Sequence, residues 1–414
     1  MRVLVYEQFH FGHFYQYVHH LLPLLIDLVD EVIVPVPDKS RKTVEFSLLI
    51  EPFSDRISID SNIPYEDPRM TVRQRIKLHR NLRDAVRRIR PDYVFVPSAD
   101  GQTSAIVFFR LCGLGALPGN VPVEAGIHYG LGKTAINFRD RIKDGLYYKA
   151  FLLSPWTNIH FVNAVLYESI QSKGGRLARR AKILPDPIPV NPRYNKIESR
   201  IRLDIPEEGR YIGVVGALDK RKAIDKLLEA FLDGTFRVND RILLAGRLAH
   251  SFSELIERDY ADMVKKNRIV LLNRYLDEQE FTLALSAVDV VCTPSPFHAQ
   301  LSSVLLKGIA AGKPVLANDF GWSRMMIRRF QFGWTCNFLD KEEVVRSLRI
   351  ALEQCDEYKE SEATKRLLEF HSPENFAESW LVQLRKIMGK SAPKAVRTWD
   401  WVLDALPEEY RTIY

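Results

Sequence analysis

Short β-branched runs alternate with helical segments in two separate series along the chain. The strand candidates of the first series are RVLVYE (2–7), EVIVPV (31–36), DYVFVPS (92–98) and NIHFVNA (158–164). Those of the second are YIGVVGAL, RILLAGRL, RIVLLNRY, VDVVCTPS and KPVLANDFG, all within 211–321. Strands that alternate with helices are typical of βαβ units and a parallel sheet. The sequence therefore predicts two doubly wound α/β domains.

A proline-rich stretch separates the two series. LPDPIPVNP at 184–192 has four prolines in nine residues, a composition that favours a stiff extended connector. We predict a first domain over 1–184, a linker over 185–195, a second domain over 196–372, and C-terminal helices over 373–414 that return to the first domain. Open α/β sheets bind ligands outside the carboxyl ends of their strands, so we expect a ligand cleft between the two sheets.

Length and composition exclude several classes of protein. The 414 residues are too many for one core, and 46% hydrophobic with 27% charged residues is typical of a soluble globular chain. No apolar run approaches the roughly 20 residues that span a bilayer, and the first residues lack a signal-peptide pattern. Cys112, Cys292, Cys336 and Cys355 form no C-x-x-C pair, so we expect reduced core cysteines in a cytoplasmic protein.

The net charge of +7 is concentrated in two segments, 73–91 and 173–182. The first has apolar residues near helical spacing and a basic remainder, which predicts an amphipathic surface helix. Its basic face is either simply solvated or contacts an anionic membrane surface at the inner face of the membrane. Nucleic acid is a third possibility that we do not expect.

The run CTPSPFHAQLSSVLLKGIAAGKPVLANDFG (292–321) resembles the signature of glycosyltransferase family 4, the group 1 glycosyltransferases. GVVGALDKRKAIDKLLEAF (213–231) and LLAGRL (243–248) resemble further motifs of that family, and the resemblance covers roughly 155–385. It implies a GT-B fold, in which two Rossmann-like domains face each other across a cleft. It also implies transfer of a hexose from a UDP- or GDP-linked sugar to a glycan or lipid-linked acceptor, with retained configuration and without a metal or other cofactor.

The resemblance places two family glutamates, eight positions apart, at Ala299 and Lys307. Both carboxylates are therefore missing from this chain, and His298 and Gln300 flank the first position. A Lys307 ammonium cannot accept hydrogen bonds from ribose hydroxyls, although it could contact a phosphate. We therefore expect weakened or rebuilt ribose recognition.

The same alignment places the family's phosphate-binding Arg and Lys at Ala217 and Lys222, so one of the two cations is retained. We also expect Gly216, directly before Ala217, to lie at the donor-binding site. Arg247, directly after Gly246, is a candidate replacement for the lost charge, or else an ordinary surface arginine.

Ser302 and Ser303 precede the apolar run VLLKGIAA and are N-cap candidates for a helix. The free N–H groups and the dipole of such a helix form an anion site, to which Lys222 would add a point charge. A diphosphate leaving group needs donors of this kind. A cap that serves only the helix is the competing interpretation.

Two histidines are candidates for chemistry in the first domain. His128 follows a strand-like run at the position where the family commonly carries a histidine, and His13 could serve as a general base. With ten histidines in the chain, ordinary structural roles are the alternative. The nearby GLGKT is not a P-loop, because Ile127 stands five residues before Gly132, where that motif needs glycine.

Two further hypotheses compete with a transferase. Loss of both glutamates would fit a degenerate GT-B protein that binds a nucleotide, a glycan or a protein without turnover. A kinase or ATPase inferred from GLGKT is opposed by the motif spacing. No Asp-x-Asp, H-E-x-x-H or G-x-S-x-G motif supports a metal site or a serine hydrolase.

Overall fold

A computed structural model of the chain describes residues 1–7, 9, 13–64, 71–111, 117–129, 138–189, 192–219, 221–232, 236–391 and 396–411. The chain divides into two compact units. The first comprises Met1–Pro187 and His371–Arg397, and the second comprises Ile188–Phe370 and Thr398–Tyr414. Each unit contains one parallel sheet.

The sheet of the first unit has seven parallel strands, in the order β3-β2-β1-β4-β5-β6-β7. The strands are β1 (Arg2–Val5), β2 (Glu31–Pro35), β3 (Ser58–Asp60), β4 (Tyr93–Val96), β5 (Val123–Ile127), β6 (Asn158–Phe161) and β7 (Ala181–Ile183). Its helices are α1 (His13–Ile26), α2 (Val44–Leu49), α3 (Val72–Ile89), α4 (Asp100–Leu111), α5 (Phe138–Leu153), α6 (Ala164–Lys173) and α7 (Gly175–Arg180). Strands β1, β4 and β5 are almost fully buried, as expected for a parallel sheet covered by helices.

The sheet of the second unit has six parallel strands, in the order β10-β9-β8-β11-β12-β13. The strands are β8 (Arg210–Val215), β9 (Asp240–Ala245), β10 (Ile269–Leu272), β11 (Val290–Thr293), β12 (Val315–Asn318) and β13 (Gly333–Cys336). Its helices are α8 (Lys196–Arg202), α9 (Ile224–Leu232), α10 (His250–Asp259), α11 (Ala261–Lys265), α12 (Glu278–Ala287), α13 (Ser303–Ala310), α14 (Gly321–Phe330), α15 (Lys341–Gln354) and α16 (Glu362–Phe370).

The C-terminal segment is shared between the units. Helix α17 (Pro373–Ile387) belongs to the first unit, where Trp380 is fully buried and stacks on His160 with ring centroids 4.4 Å apart. Helices α18 (Trp399–Leu403) and α19 (Glu408–Arg411) belong to the second unit instead. We expected all of 373–414 to return to the first domain, but Trp399 packs on Phe370 at 5.3 Å, which holds the last residues on the second unit.

The predicted basic helix corresponds to α3. Thr71 caps it by accepting a hydrogen bond from the Gln74 N–H, and Leu82 and Val86 of the predicted apolar stripe are buried. Of the four cysteines, Cys292, Cys336 and Cys355 are free and buried, as predicted, and Cys112 lies outside the described residues. None of the helices in the described part of the chain has the length and hydropathy needed to cross a bilayer.

Candidate functional site

The candidate donor-binding residues collect at the carboxyl edge of the second sheet. Strands β8 and β11 are neighbours there, and the loops that follow them are joined by a 2.7 Å hydrogen bond from the Ala223 N–H to the Pro294 carbonyl. A Cβ placed on Gly216 would lie 3.8 Å from Val304 in the first turn of α13. Gly216 and the start of α13 therefore lie side by side.

Two glycines let the loops after β8 and β9 approach each other. Gly216 and Gly246 have φ angles of +99° and +133°, which residues with a side chain rarely adopt. A Cβ on Gly246 would lie 2.0 Å from the Gly216 carbonyl oxygen, so no other residue fits there. Gly216 therefore presents bare backbone next to the first turn of α13.

Lys222 lies beneath this loop with most of its side chain buried. Its Nζ donates to the Val215 carbonyl at 3.1 Å, at the end of β8. Burial lowers the pKa of Lys222 to about 8, although the negative charge of Asp219 acts to raise it. The ammonium is therefore poorly solvated, and an anion that reached it would relieve an unfavourable desolvation.

The start of α13 matches the predicted N-cap in part. Ser302 is the cap, since its Oγ accepts from the Leu305 N–H at 3.4 Å. Ser303 is the first helical residue and is exposed, so its predicted role as a cap is wrong. The N–H groups of Ser303 and Val304 have no acceptor within the helix, and the positive end of the helix dipole lies there.

Lys307, at the position of the missing second glutamate, faces α12 rather than open space. Its Nζ lies 5.0 Å from the centroid of the Phe281 ring, a cation–π contact. The same ring would lie 3.5 Å from a Cβ on Gly216. Lys307 is thus close to the Gly216 loop, with its ammonium held against an aromatic face.

The position of the first missing glutamate, Ala299, is buried and offers no functional group. His298 beside it is half-buried, and its Nε2 contacts the Leu301 carbonyl at 3.2 Å. Burial lowers its pKa, and the nearby charges of Arg221 and Lys222 lower it further. Gln300 is exposed on the same loop.

Arg247 and Arg221 are the candidates for replacing the lost cation at Ala217. The Arg247 carbonyl accepts from the Leu218 N–H at 3.1 Å, so its backbone lies beside the Gly216 loop, and its side chain is exposed. Arg221 is exposed and is paired with Asp219 at 2.7 Å. Of the two, Arg221 lines the same cavity as Lys222.

In the first unit, His128 directly follows β5 and is held by Asp100. The Asp100 carboxylate accepts hydrogen bonds from the backbone N–H groups of His128 at 3.0 Å and Tyr129 at 2.8 Å. The ring of His128 stacks on Tyr17 at 5.1 Å, and its Nε2 lies 3.3 Å from the Pro97 carbonyl. Because a carbonyl only accepts, this contact needs the proton on Nε2, which leaves the Nδ1 lone pair as a proton acceptor.

Two other predictions for the first unit fall outside what the structure describes. His13 is the first residue of α1, but its side chain lies outside the described part. The GLGKT sequence, with Lys133, lies in 130–137, also outside the described residues.

Sequence reasoning missed three residues that shape these sites: Asp100, Tyr17 and Phe281. Asp100 had a local signal, since an acidic residue after a strand and before a helix is a common ligand for backbone N–H groups. Tyr17 and Phe281 had none, because each contacts its site residue only through the fold.

The basic segment 173–182 is used partly for structure. Arg180 donates to the carbonyls of Phe151 at 3.2 Å and Ser154 at 3.0 Å, so it fastens the end of α5. Arg176 and Arg179 are exposed on α7. Lys173 and Lys182 of the same segment are exposed as well, so four cations remain available to an anionic partner.

A group of potential metal ligands in the described residues consists of Asp289, Cys355 and Asp356, with ligand atoms within 4.8 Å of one another. The Asp289 carboxylate already pairs with Lys196 at 2.6 Å and Arg200 at 3.0 Å. Burial also raises the pKa of the Cys355 thiol, which disfavours the thiolate that a metal needs. We therefore assign no metal to this group.

Two Rossmann-like units with six- and seven-stranded parallel sheets are the architecture of the GT-B glycosyltransferases. Residues 195–366 match the family of glycosyl transferases group 1, the family that the motifs in 292–321 resemble. No curated protein sequence is significantly similar to the chain.

Similar solved structures include three that match along nearly the whole chain. Sucrose-phosphate synthase from Thermosynechococcus elongatus has 14% identity, a TM-score of 0.68, and coverage of 94% of this chain and 100% of its own. HepE from Anabaena, in complex with UDP, has 13% identity, a TM-score of 0.60, and coverage of 94% and 100%. WaaG, a glycosyltransferase involved in lipopolysaccharide biosynthesis, has 14% identity, a TM-score of 0.60, and coverage of 95% and 100%. At these identities the likeness shows the fold alone.

Proposed function

We propose that this protein transfers a sugar, a hexose, from a nucleotide diphosphate sugar to a carbohydrate or lipid-linked acceptor. The observation that carries the proposal is the position of Lys222, Gly216 and the start of α13 at one edge of the second sheet. A desolvated ammonium, side-chain-free backbone and free helical N–H groups together suit a diphosphate. The complex of the similarly folded HepE with UDP supports a uridine donor, with a guanosine donor as the alternative.

The chemistry follows from where negative charge grows. As the bond between the sugar and the diphosphate breaks, the leaving diphosphate gains charge, which the amide dipoles of α13 and the Lys222 ammonium would stabilise. These donors are fixed in place before the reaction, so the proposal needs no metal. From the family that residues 195–366 match, we infer retention of the anomeric configuration.

His128 is the residue of the first unit that we propose takes part in the reaction. Its Nδ1 lone pair can accept a proton, and Asp100 and Tyr17 hold its backbone and ring. Ribose recognition is proposed to differ from that of the family, because Lys307 lies over Phe281 where a carboxylate is expected. We propose that the protein works in the cytoplasm, in the assembly of a polysaccharide or glycolipid.

The alternative is a binding or scaffold module without turnover. It is favoured by one observation: the buried Ala299 and the Phe281-bound Lys307 replace both acidic residues of the family motif. The transferase needs both nucleotide binding and turnover, whereas this module would bind a nucleotide, a glycan or a protein without turnover.

Calorimetric titration with UDP, GDP and their sugars, followed by product analysis with candidate acceptors, separates these proposals. A heat of binding for one nucleotide together with acceptor-dependent release of free nucleotide is expected for the transferase, and NMR of the product reports its anomeric configuration. Binding without release would favour the scaffold, and no binding of either nucleotide would refute the transferase. His128→Ala is expected to abolish turnover without abolishing nucleotide binding, and unchanged turnover would exclude His128 from the chemistry.

A further inference from the structure

Helix α5 in the first unit carries a row of exposed apolar side chains. Phe138, Ile142 and Leu146 are spaced four residues apart and are 75%, 49% and 52% exposed. Side chains four residues apart are neighbours on one side of a helix, so the three form a continuous ridge. Scattered exposed apolar residues are normal, but a contiguous ridge marks a surface that something else covers.

A groove with an apolar floor lies beside this ridge. It runs between α5 and α6 and has a volume of about 590 Å³. Phe151, Leu166 and Ile170 line its floor, and all three are buried. The proposed transferase chemistry uses neither the ridge nor the groove.

Cations border both features. Arg141 and Lys149 of α5 and Lys173 of α6 line the groove and are exposed. The groove also holds one half-buried carboxylate, Asp144, which accepts a hydrogen bond from the Tyr129 hydroxyl at 3.2 Å, so the three cations outnumber it. The Lys173 ammonium lies 4.9 Å from the centroid of the Tyr148 ring, also at the groove. Arg139 is exposed next to the ridge. An apolar ridge flanked by basic side chains is the pattern of a helix that lies in a lipid–water interface.

We propose that this α5–α6 surface, defined by the ridge and the groove, binds an anionic membrane surface. The ridge enters the boundary between headgroups and acyl chains, the bordering cations contact lipid phosphates, and the groove floor takes up apolar lipid. Lysine is depleted in protein–protein interfaces, so Lys149 and Lys173 beside an apolar surface favour lipid over a protein partner. Nucleic acid would leave the ridge without an apolar contact.

Helix α3 contributes charge without insertion. Its exposed side includes the cations Arg73, Lys77, Arg80 and Arg87, and α4 packs against both α3 and α5, so all three helices lie side by side. The basic face of α3 can therefore attract an anionic surface, while the apolar anchor lies on α5. The sequence suggested a membrane contact for 73–91 alone. In this proposal two helices share it, with charge from α3 and the apolar anchor from α5.

The test is cosedimentation of the full-length protein with vesicles. We expect binding to vesicles with roughly one third phosphatidylglycerol in phosphatidylcholine, weaker binding at high salt, and none to phosphatidylcholine alone. Ile142→Ser with Leu146→Ser should weaken binding about tenfold or more, because two half-exposed side chains lose their apolar contact. Lys149→Ala should weaken it roughly fivefold.

The matched control is Ile197→Ser with Ile201→Ser. These residues are an exposed apolar pair, 39% and 57% exposed, at the same spacing on α8 of the second unit. The control should bind vesicles as the wild type does. Equal binding by the ridge variant and the control, or no binding of the wild type to phosphatidylglycerol vesicles, would overturn the proposal.

A second copy of the chain is the competing occupant, and it has its own signature. If the ridge variant converts a dimer to a monomer in sedimentation velocity, the surface is an interface between copies and the lipid proposal is wrong. Calorimetry with UDP should give the same result for the ridge variant and the wild type. Failure of the lipid proposal is thus distinguishable from failure of the proposed transferase function.

Discussion

Replacing Lys222 by methionine tests the proposed diphosphate site most directly. Methionine removes the ammonium and keeps an unbranched apolar side chain in the buried position. A charge-assisted hydrogen bond contributes about 1.5–3 kcal/mol, so Lys222→Met should weaken nucleoside diphosphate binding roughly 10- to 150-fold.

The same substitution should not destabilise the fold. The pKa of Lys222 is about 8 in the folded protein and 10.5 ordinarily. Burying the charged lysine therefore lowers the free energy of unfolding at pH 7 by up to about 3 kcal/mol. Loss of the hydrogen bond to the Val215 carbonyl costs about 1–3 kcal/mol. We therefore expect the free energy of unfolding of Lys222→Met to be unchanged or raised by about 1–2 kcal/mol.

The pH dependence follows from the direction of the shift. Between pH 8 and 10.5 the unfolded chain keeps the Lys222 proton while the folded chain has lost it, so wild-type stability should rise over that window. The affinity for UDP should instead decrease, about tenfold between pH 7 and pH 9, because Lys222 of the free protein loses its proton. Both trends should be absent from Lys222→Met.

The assay is calorimetric titration with UDP at pH 7 and pH 9, together with urea denaturation at both pH values. Lys266→Met is the control, since Lys266 is an exposed cation just before β10, at the amino edge of the same sheet. Its affinity for UDP should match that of the wild type. Equal affinities for the wild type and Lys222→Met would refute the assignment of Lys222 to the donor site.

Three further predictions concern stability and are measured by urea denaturation. Ser302→Ala should lower the free energy of unfolding by about 1 kcal/mol through loss of the helix cap, and no change would mean that the cap is not used. Gly246→Ala should lower it by at least about 2 kcal/mol, since the Cβ would meet the Gly216 carbonyl oxygen; near-wild-type stability would contradict the loop crossing. Glu124→Gln should cost about 3 kcal/mol at pH 7, because Glu124 is buried and bonded to His160. Burial alone would raise the pKa of Glu124, but hydrogen bonds from His160, Tyr93 and Asn158 lower it below its ordinary value. The cost should therefore persist at pH 5 and shrink only as the pH falls through that lowered pKa.

The strand pattern could be predicted where strands are central in a sheet. β1, β4, β8 and β11 are buried on both faces and therefore appear as continuous runs of β-branched residues. Besides the central β5, which lies between β4 and β6, the strands absent from the predicted series are β3, β7 and β13, all three at sheet edges. They have three or four residues and are partly exposed, so their sequences lack both the length and the hydrophobicity of a strand signal.

The candidate site could be predicted to the extent that it depends on local sequence. The cap at Ser302 and the glycines at 216 and 246 follow from neighbouring residues and from family motifs. The clamp of Asp100 on the His128 backbone joins residues 28 positions apart, and Phe281 meets Lys307 from another helix. Contacts of that kind depend on the folded arrangement, so the pattern of residues along the chain does not predict them.

The chain passes between the two units three times, after residues 187, 370 and 397. The ribosome must therefore synthesise the whole sheet of the second unit before α17, with Trp380, can complete the core of the first. A nascent first unit ending at Pro187 leaves uncovered the surface that Trp380 and Phe376, both almost fully buried, cover in the finished protein. Synthesis order thus completes the sheet of the second unit before α17 can close the core of the first. Expression of the first unit as a simple N-terminal fragment is therefore a route to aggregation.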